Sequence, residues 1–210
     1  MRQNTKELIL EAAKELFRDN DYKTVSLKAI ADRCGISVGN LNYHYKFKKD
    51  LILEFMDDVQ AGLKLVMSAD SGEPISDLFE VFQKQFNNQK EFKFYFKSFV
   101  EFADDYPEVK ESQAKFRAIL FEYYRSSMFH LRETGNILPR ITDEELEALC
   151  LNILMTNTFW MQNNSPSQDS LFVDWDFIRC MRHLLSPYLT DTGRDNLRKY
   201  FADKAKPSSL

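Results

Sequence analysis

Between residues 26 and 48 the sequence gathers side chains able to bond a nucleic-acid duplex from outside: Ser26, Lys28, Ser37, Asn40, Asn42, Tyr43, His44 and Lys48, with Val38 and Gly39 among them. The chemistry these types offer is recognition, not bond breaking. The Asn40 and Asn42 amides can meet a base edge or a phosphate, the Val38 methyls can pack on a thymine methyl, and Gly39 lets backbone come close to DNA. Lys28, Tyr43, His44 and Lys48 have reach for phosphates or flanking bases. Lys48 also falls at the start of a helix, where unpaired N–H groups and the helix dipole favour an anion.

Such residues need two short helices at a fixed angle, and the pattern supplies them. Ser26 can cap a helix carrying Leu27, Ile30, Ala31 and Cys34, Gly35 can stop it in a left-handed conformation, and Ser37 can cap a second helix running to about Tyr43. Ile36 and Leu41 would seat the second helix on the first, and on an earlier one whose apolar face is Ile9, Ala12, Ala13, Leu16 and Phe17. This is a helix-turn-helix pattern, whose second helix fits the major groove.

Beyond the head the period of 3.6 continues. A long helix from about Phe47 to Ala69 precedes the turn Ser71-Gly72-Glu73-Pro74, and helices are expected near 75–88, 91–104 and 107–134, with Gly135 as the stop. In the helix expected over 91–104, Phe92, Phe94, Tyr95, Phe96, Phe99 and Phe102 fall on every side, so it is expected at the centre of the body. Thr142 with Glu145 forms a capping box ahead of a long apolar helix over 142–162. A polar loop over Asn163–Ser170 separates it from a helix over 172–189 marked by Phe177, Met181, Leu184, Leu185 and Tyr188, which Pro187 bends or frays. A last short helix follows Thr192. No segment alternates with the period of a strand, so the fold class is all-α: a three-helix head over 1–46 and a larger helical body over 47–210.

Composition narrows the function further. A 44% hydrophobic fraction with 6 Gly and 6 Pro describes a chain that buries a core, and no apolar run reaches the length of a membrane span, so a cytoplasmic protein without membrane partners is expected. Cys34, Cys150 and Cys180 are odd in number and lie within apolar helical patterns, which reads as reduced packing residues. The formal charge is −4, yet the first fifty residues carry about +3, which suits a protein touching phosphates at one end only. Nothing supports catalysis, a metal or a cofactor: no GxSxG, HExxH or Gly-rich phosphate loop occurs, His44, His130 and His183 are scattered, and Ser112-Gln113-Ala114-Lys115 is an SxxK look-alike without partner motifs. The sequon-like Asn163-Asn164-Ser165 has no use in such a protein.

The stretch TVSLKAIADRCGISVGNLNYHYKFKKDL resembles the head of the TetR family of bacterial regulators, a likeness covering residues 5 to about 56. In that family the recognition helix follows Gly-Val/Ile-Ser, ends in aromatic residues and is followed by a phosphate-binding lysine; Ile36, Ser37, Tyr43, His44, Tyr45 and Lys48 match position by position. Asn42 stands where the family usually has Tyr, and Asp21 where it usually has Gly. The resemblance implies a ligand pocket in the body, walled by Phe99, Phe102, Phe121, Tyr124, Met155 or Trp160. It also implies a homodimer joined through the 142–162 and 172–189 helices, an operator of palindromic DNA, and repression relieved by a small apolar or aromatic ligand. The alternatives are control by a protein partner, or a helical interaction module without a ligand.

Overall fold

The computed structural model describes residues 4–163 and 176–205. Its helices are α1 Thr5–Asp19, α2 Leu27–Cys34, α3 Val38–His44, α4 Lys48–Met67, α5 Pro74–Glu91, α6 Lys93–Lys97, α7 Phe99–Asp105, α8 Pro107–Glu133, α9 Asp143–Asn163, α10 Phe177–Leu185 and α11 Asp191–Lys204. Among the described residues there is no strand, only an isolated antiparallel bridge between Ile137 and Leu189. The chain divides into two compact units, residues 1–61 with 88–114 and residues 62–87 with 115–210.

The first unit holds α1 to α3, the start of α4, and the aromatic segment 92–102. Ile9, Ala13 and Phe17 of α1, Ile30 and Ala31 of α2, Leu41 of α3, and Leu51, Ile52 and Phe55 of α4 are buried in one core with Phe92, Phe94, Tyr95 and Phe102. The single helix expected over 91–104 is instead two short helices, with Phe92 (φ −105°, ψ 40°) and Ser98 (φ −98°, ψ 20°) as the residues ahead of each. The reason lies in the rings. On one straight helix Phe92 and Phe94 would stand about 200° apart. With Phe92 outside helical geometry both reach Phe55, at centroid distances of 6.0 and 5.5 Å, and Phe94 also lies 5.5 Å from Phe17. Rings expected at the centre of the body therefore complete the core beneath the helix-turn-helix.

The second unit is built on Leu78, Phe79 and Phe82 of α5, Tyr124, Met128 and Leu131 of α8, Leu146, Leu149 and Ile153 of α9, and Phe177, Met181 and Leu185 of α10, all buried together. The capping box ahead of α9 forms in both directions: Thr142 N–H donates to Glu145 Oε2 at 2.8 Å, and Glu145 N–H donates to Thr142 Oγ1 at 3.2 Å. The connection after α8 is pinned at Asn136, whose carbonyl accepts from Thr190 N–H at 3.0 Å and whose side-chain oxygen accepts from Asn196 at 2.9 Å. α10 is capped by Asp176, which accepts from Arg179 N–H at 2.6 Å, and ends in a 3₁₀ turn over Ser186–Tyr188 that accommodates Pro187. The expected loop over 164–170, and the first residues of a helix placed from 172, lie outside the described residues.

Candidate nucleic-acid interface

Local bonds set the two helices of the motif. Ser26 Oγ accepts from Ala29 N–H at 3.1 Å, and Ser37 Oγ accepts from Asn40 N–H at 3.1 Å, so both serines terminate helices as their types require. Between them Gly35 takes φ 67° and ψ 29°, and Ile36 N–H closes back on Ala31 O at 3.1 Å. This left-handed turn is where glycine has no Cβ penalty. Leu41, fully buried, anchors α3; Val38, Gly39, Asn40, Asn42 and Tyr43 are exposed and His44 is half-buried.

Tyr43 is 85% exposed, far beyond what packing asks of a tyrosine, and it meets the His44 ring edge-on at 5.2 Å. Gly39 is equally unexplained by the fold. A Cβ built there would meet nothing nearer than Ser37 Oγ at 3.8 Å, and its φ is not positive, so neither space nor backbone strain demands glycine. Ser26 and Lys28 are exposed at the start of α2.

Lys48 is not a free surface cation. Its ammonium donates to Tyr22 O at 2.8 Å and Lys23 O at 3.2 Å, tying the start of α4 to the α1–α2 loop. Partial burial lowers its pKa from the usual lysine value, while Asp21 and Asp105 act in the opposite direction. Phe47, which the sequence reading used only as a helix start, is 52% exposed between two ammonium groups, Lys46 at 5.6 Å and Lys49 at 5.7 Å from its ring centroid. The signal was present, an aromatic residue flanked by lysines at a helix N-terminus.

The six residues put forward as pocket walls do not share one core. Phe99 and Phe102 pack in the core of the first unit. Phe121, Tyr124 and Trp160 belong to that of the second unit. Met155 is 55% exposed. Buried amides escaped the sequence reading, because nothing in a helical pattern distinguishes them from surface glutamines. Gln113 donates from Nε2 to Phe99 O at 3.0 Å and Tyr95 OH at 3.2 Å, and Gln85 donates to Tyr124 OH at 2.5 Å. Burial raises the Tyr124 phenol above its ordinary pKa. No group of three or more metal-ligating side chains occurs among the described residues, and no described helix is long and apolar enough to cross a membrane.

An all-helical chain with a capped helix-turn-helix and a polar second helix turned to solvent defines the class of helix-turn-helix proteins. Residues 9–55 match the family model described as bacterial regulatory proteins of the tetR family, and residues 57–197 match that of a bacterial transcriptional repressor. The chain belongs to the TetR family, whose members are regulators, not enzymes. Over 50 residues it is 44% identical to the HTH-type transcriptional regulator UidR of Escherichia coli, covering 24% of this chain and 26% of that protein. Over 54 residues it is 43% identical to the HTH-type transcriptional regulator QacR of Staphylococcus aureus, covering 26% and 29%. The chain thus matches only about a quarter of the length of these curated relatives. In fold it is similar to a TetR-family regulator from Marinobacter aquaeolei, with a TM-score of 0.80 at 22% identity over 98% of this chain and 100% of the other. It is also similar to NalD, the secondary repressor of the MexAB-OprM multidrug efflux pump in Pseudomonas aeruginosa, with a TM-score of 0.64 at 19% identity over 89% and 96%.

Proposed function

We propose that this chain is a sequence-specific DNA-binding regulator of transcription, a homodimeric repressor in the cytoplasm that leaves a palindromic operator when a small apolar or aromatic ligand binds. The observation that carries the reading is the outer face of α3. Val38, Gly39, Asn40, Asn42 and Tyr43 are exposed side by side, and Gly39 and Tyr43 have no use inside the molecule. In the major groove Asn40 and Asn42 contact base edges and Val38 a thymine methyl, while Ser26, Lys28, Ser37, Tyr43, His44 and Lys48 serve the backbone and flanking bases.

Dimerisation is supported by α9, whose inner face fills the core while Leu151 and Met155, one turn apart, remain 52% and 55% exposed. Covering that apolar stripe with a second copy brings two α3 helices into one assembly, as an operator with half-sites about 34–36 Å apart requires. Ligand control is supported by the family likeness and by the many aromatic rings of both cores, among which an apolar guest would find flat partners.

The test is a titration of labelled duplex, from the chain's own upstream region and of mixed sequence, over a range of salt. Binding should weaken steeply with salt, and replacing Asn40 or Asn42 by Ala should relax preference at one or two base pairs, at about 1–3 kcal/mol each. Salt-independent binding, or no preference for the upstream duplex, overturns the reading.

A further inference from the structure

Lys48 is seated on the carbonyls of Tyr22 and Lys23, and that loop is in turn held from the other side by α7. The Tyr22 hydroxyl donates to Asp105 Oδ2, its ring lies 4.3 Å from Phe102, and Lys23 Nζ stands 3.4 Å from Glu101 and 3.9 Å from Asp105. Tyr22 is 3% exposed, so its ring is buried and its hydrogen bond to the exposed Asp105 is half-buried, whereas the two lysine pairs have both partners at the surface and are worth little. The half-buried bond is the one that matters.

We infer that Asp105, at the C-terminal end of α7, is a positioning residue for DNA binding, which by accepting from Tyr22 holds the two backbone carbonyls that seat the Lys48 ammonium at the start of α4. This rests on the reading of Lys48 as a phosphate anchor. An ammonium has three hydrogens. Two are taken by Tyr22 O and Lys23 O, which aims the third along one direction in place of leaving it to sweep a cone. Preorganisation of this kind lowers the entropy lost when a phosphate arrives. Phe102 and Asp105 of α7 thus grip the same tyrosine.

Asp105 carries a charge that itself repels DNA, so the informative comparison is between two variants of equal charge. Asp105→Asn keeps an acceptor for Tyr22; Asp105→Ala removes it. On a labelled mixed-sequence duplex, Asp105→Asn should bind at least as tightly as the unmodified protein. Asp105→Ala should bind about three- to tenfold more weakly than Asp105→Asn, with a salt slope shallower by about one. Tyr22→Phe, which changes no charge, should reproduce the loss. In a Lys48→Ala background the difference between Asp105→Ala and Asp105→Asn, and the loss caused by Tyr22→Phe, should vanish. A merely structural role would instead lower the melting temperature and the active fraction, leave the slope unchanged, and persist in that background. Equal binding by the Ala and Asn variants, or a difference that survives Lys48→Ala, overturns the inference. Salt-independent binding by the unmodified protein, or full binding by Lys48→Ala, overturns the phosphate reading of Lys48 and the positioning with it.

Discussion

Gly39 in α3 and Gly193 in α11 both sit in the first turn of a helix, where alanine is still the better helix former. They do so for opposite reasons. A Cβ on Gly193 would fall 2.2 Å from the Asn136 carbonyl oxygen, a backbone atom that cannot step aside. A Cβ on Gly39 would meet only ordinary contact. In the second unit the residue type is dictated by what packs against it; on α3 neither packing nor backbone conformation calls for glycine. The same contrast separates the buried side chains of α9 and α10 from the exposed row of α3.

The strongest test of the contrast is on the apolar helices. Met181 and Leu185 head the pattern that marks α10 in the sequence, which suggests a dimer face, yet each is 1% exposed and belongs to the unit's own core. Leu185→Glu should cost about 4 kcal/mol or more and unfold the unit, because a carboxylate is left buried without a partner. Leu151→Glu should leave monomer unfolding within about 0.5 kcal/mol and abolish the dimer. Sedimentation and urea unfolding separate the two; a folded, dimeric Leu151→Glu protein would move the interface elsewhere.

Next in size is Gly193→Ala, expected to cost about 2–3 kcal/mol as Asn136 and the α8–α9 connection are pushed off α11. Urea unfolding reads it directly, and a neutral result would break the packing half of the comparison. Thr142→Ala should cost about 1 kcal/mol by removing one arm of the box at the start of α9. That box also carries a pH signature: backbone and hydroxyl donors at Thr142 hold the Glu145 carboxyl below its ordinary pKa. A depressed folded pKa contributes stability that is present above the unfolded value and lost as pH falls through the folded one. The difference between the unmodified protein and Thr142→Ala should therefore shrink on acidification through the carboxylate range.

The smallest effect on stability sharpens the other half. Gly39→Ala should raise stability by about 0.5–1 kcal/mol, since the helix gains and nothing clashes. DNA binding should nonetheless weaken several-fold in the same titration used for Lys48. Unchanged binding would show that Gly39 is merely tolerated.

Much of the candidate site was legible because its determinants are local. Ser26, Gly35, Ser37 and the Thr142–Glu145 pair act on backbone groups within four or five positions, so type and spacing suffice to place a helix end, and Leu41 alone on the inner side of α3 follows from its period. What lies across the chain was not legible. The period of 3.6 says that a ring needs a core, never which core, and Phe92, Phe94 and Phe102 join Phe17, Tyr22 and Phe55 through contacts spanning some 37 to 80 positions. Likewise Met181 and Leu151 look alike as apolar helix positions, and only the packing of α10 and α9 against their neighbours turns one inward and leaves the other bare. The sequence by itself determined the all-α class, the helix-turn-helix and the polar face of α3, because caps, turns and periodicity are properties of adjacent residues. Tertiary structure alone decided that an aromatic segment ninety residues along would close the head, and that Lys48 would rest on the carbonyls of Tyr22 and Lys23, because which distant groups meet depends on the folded path of the whole chain.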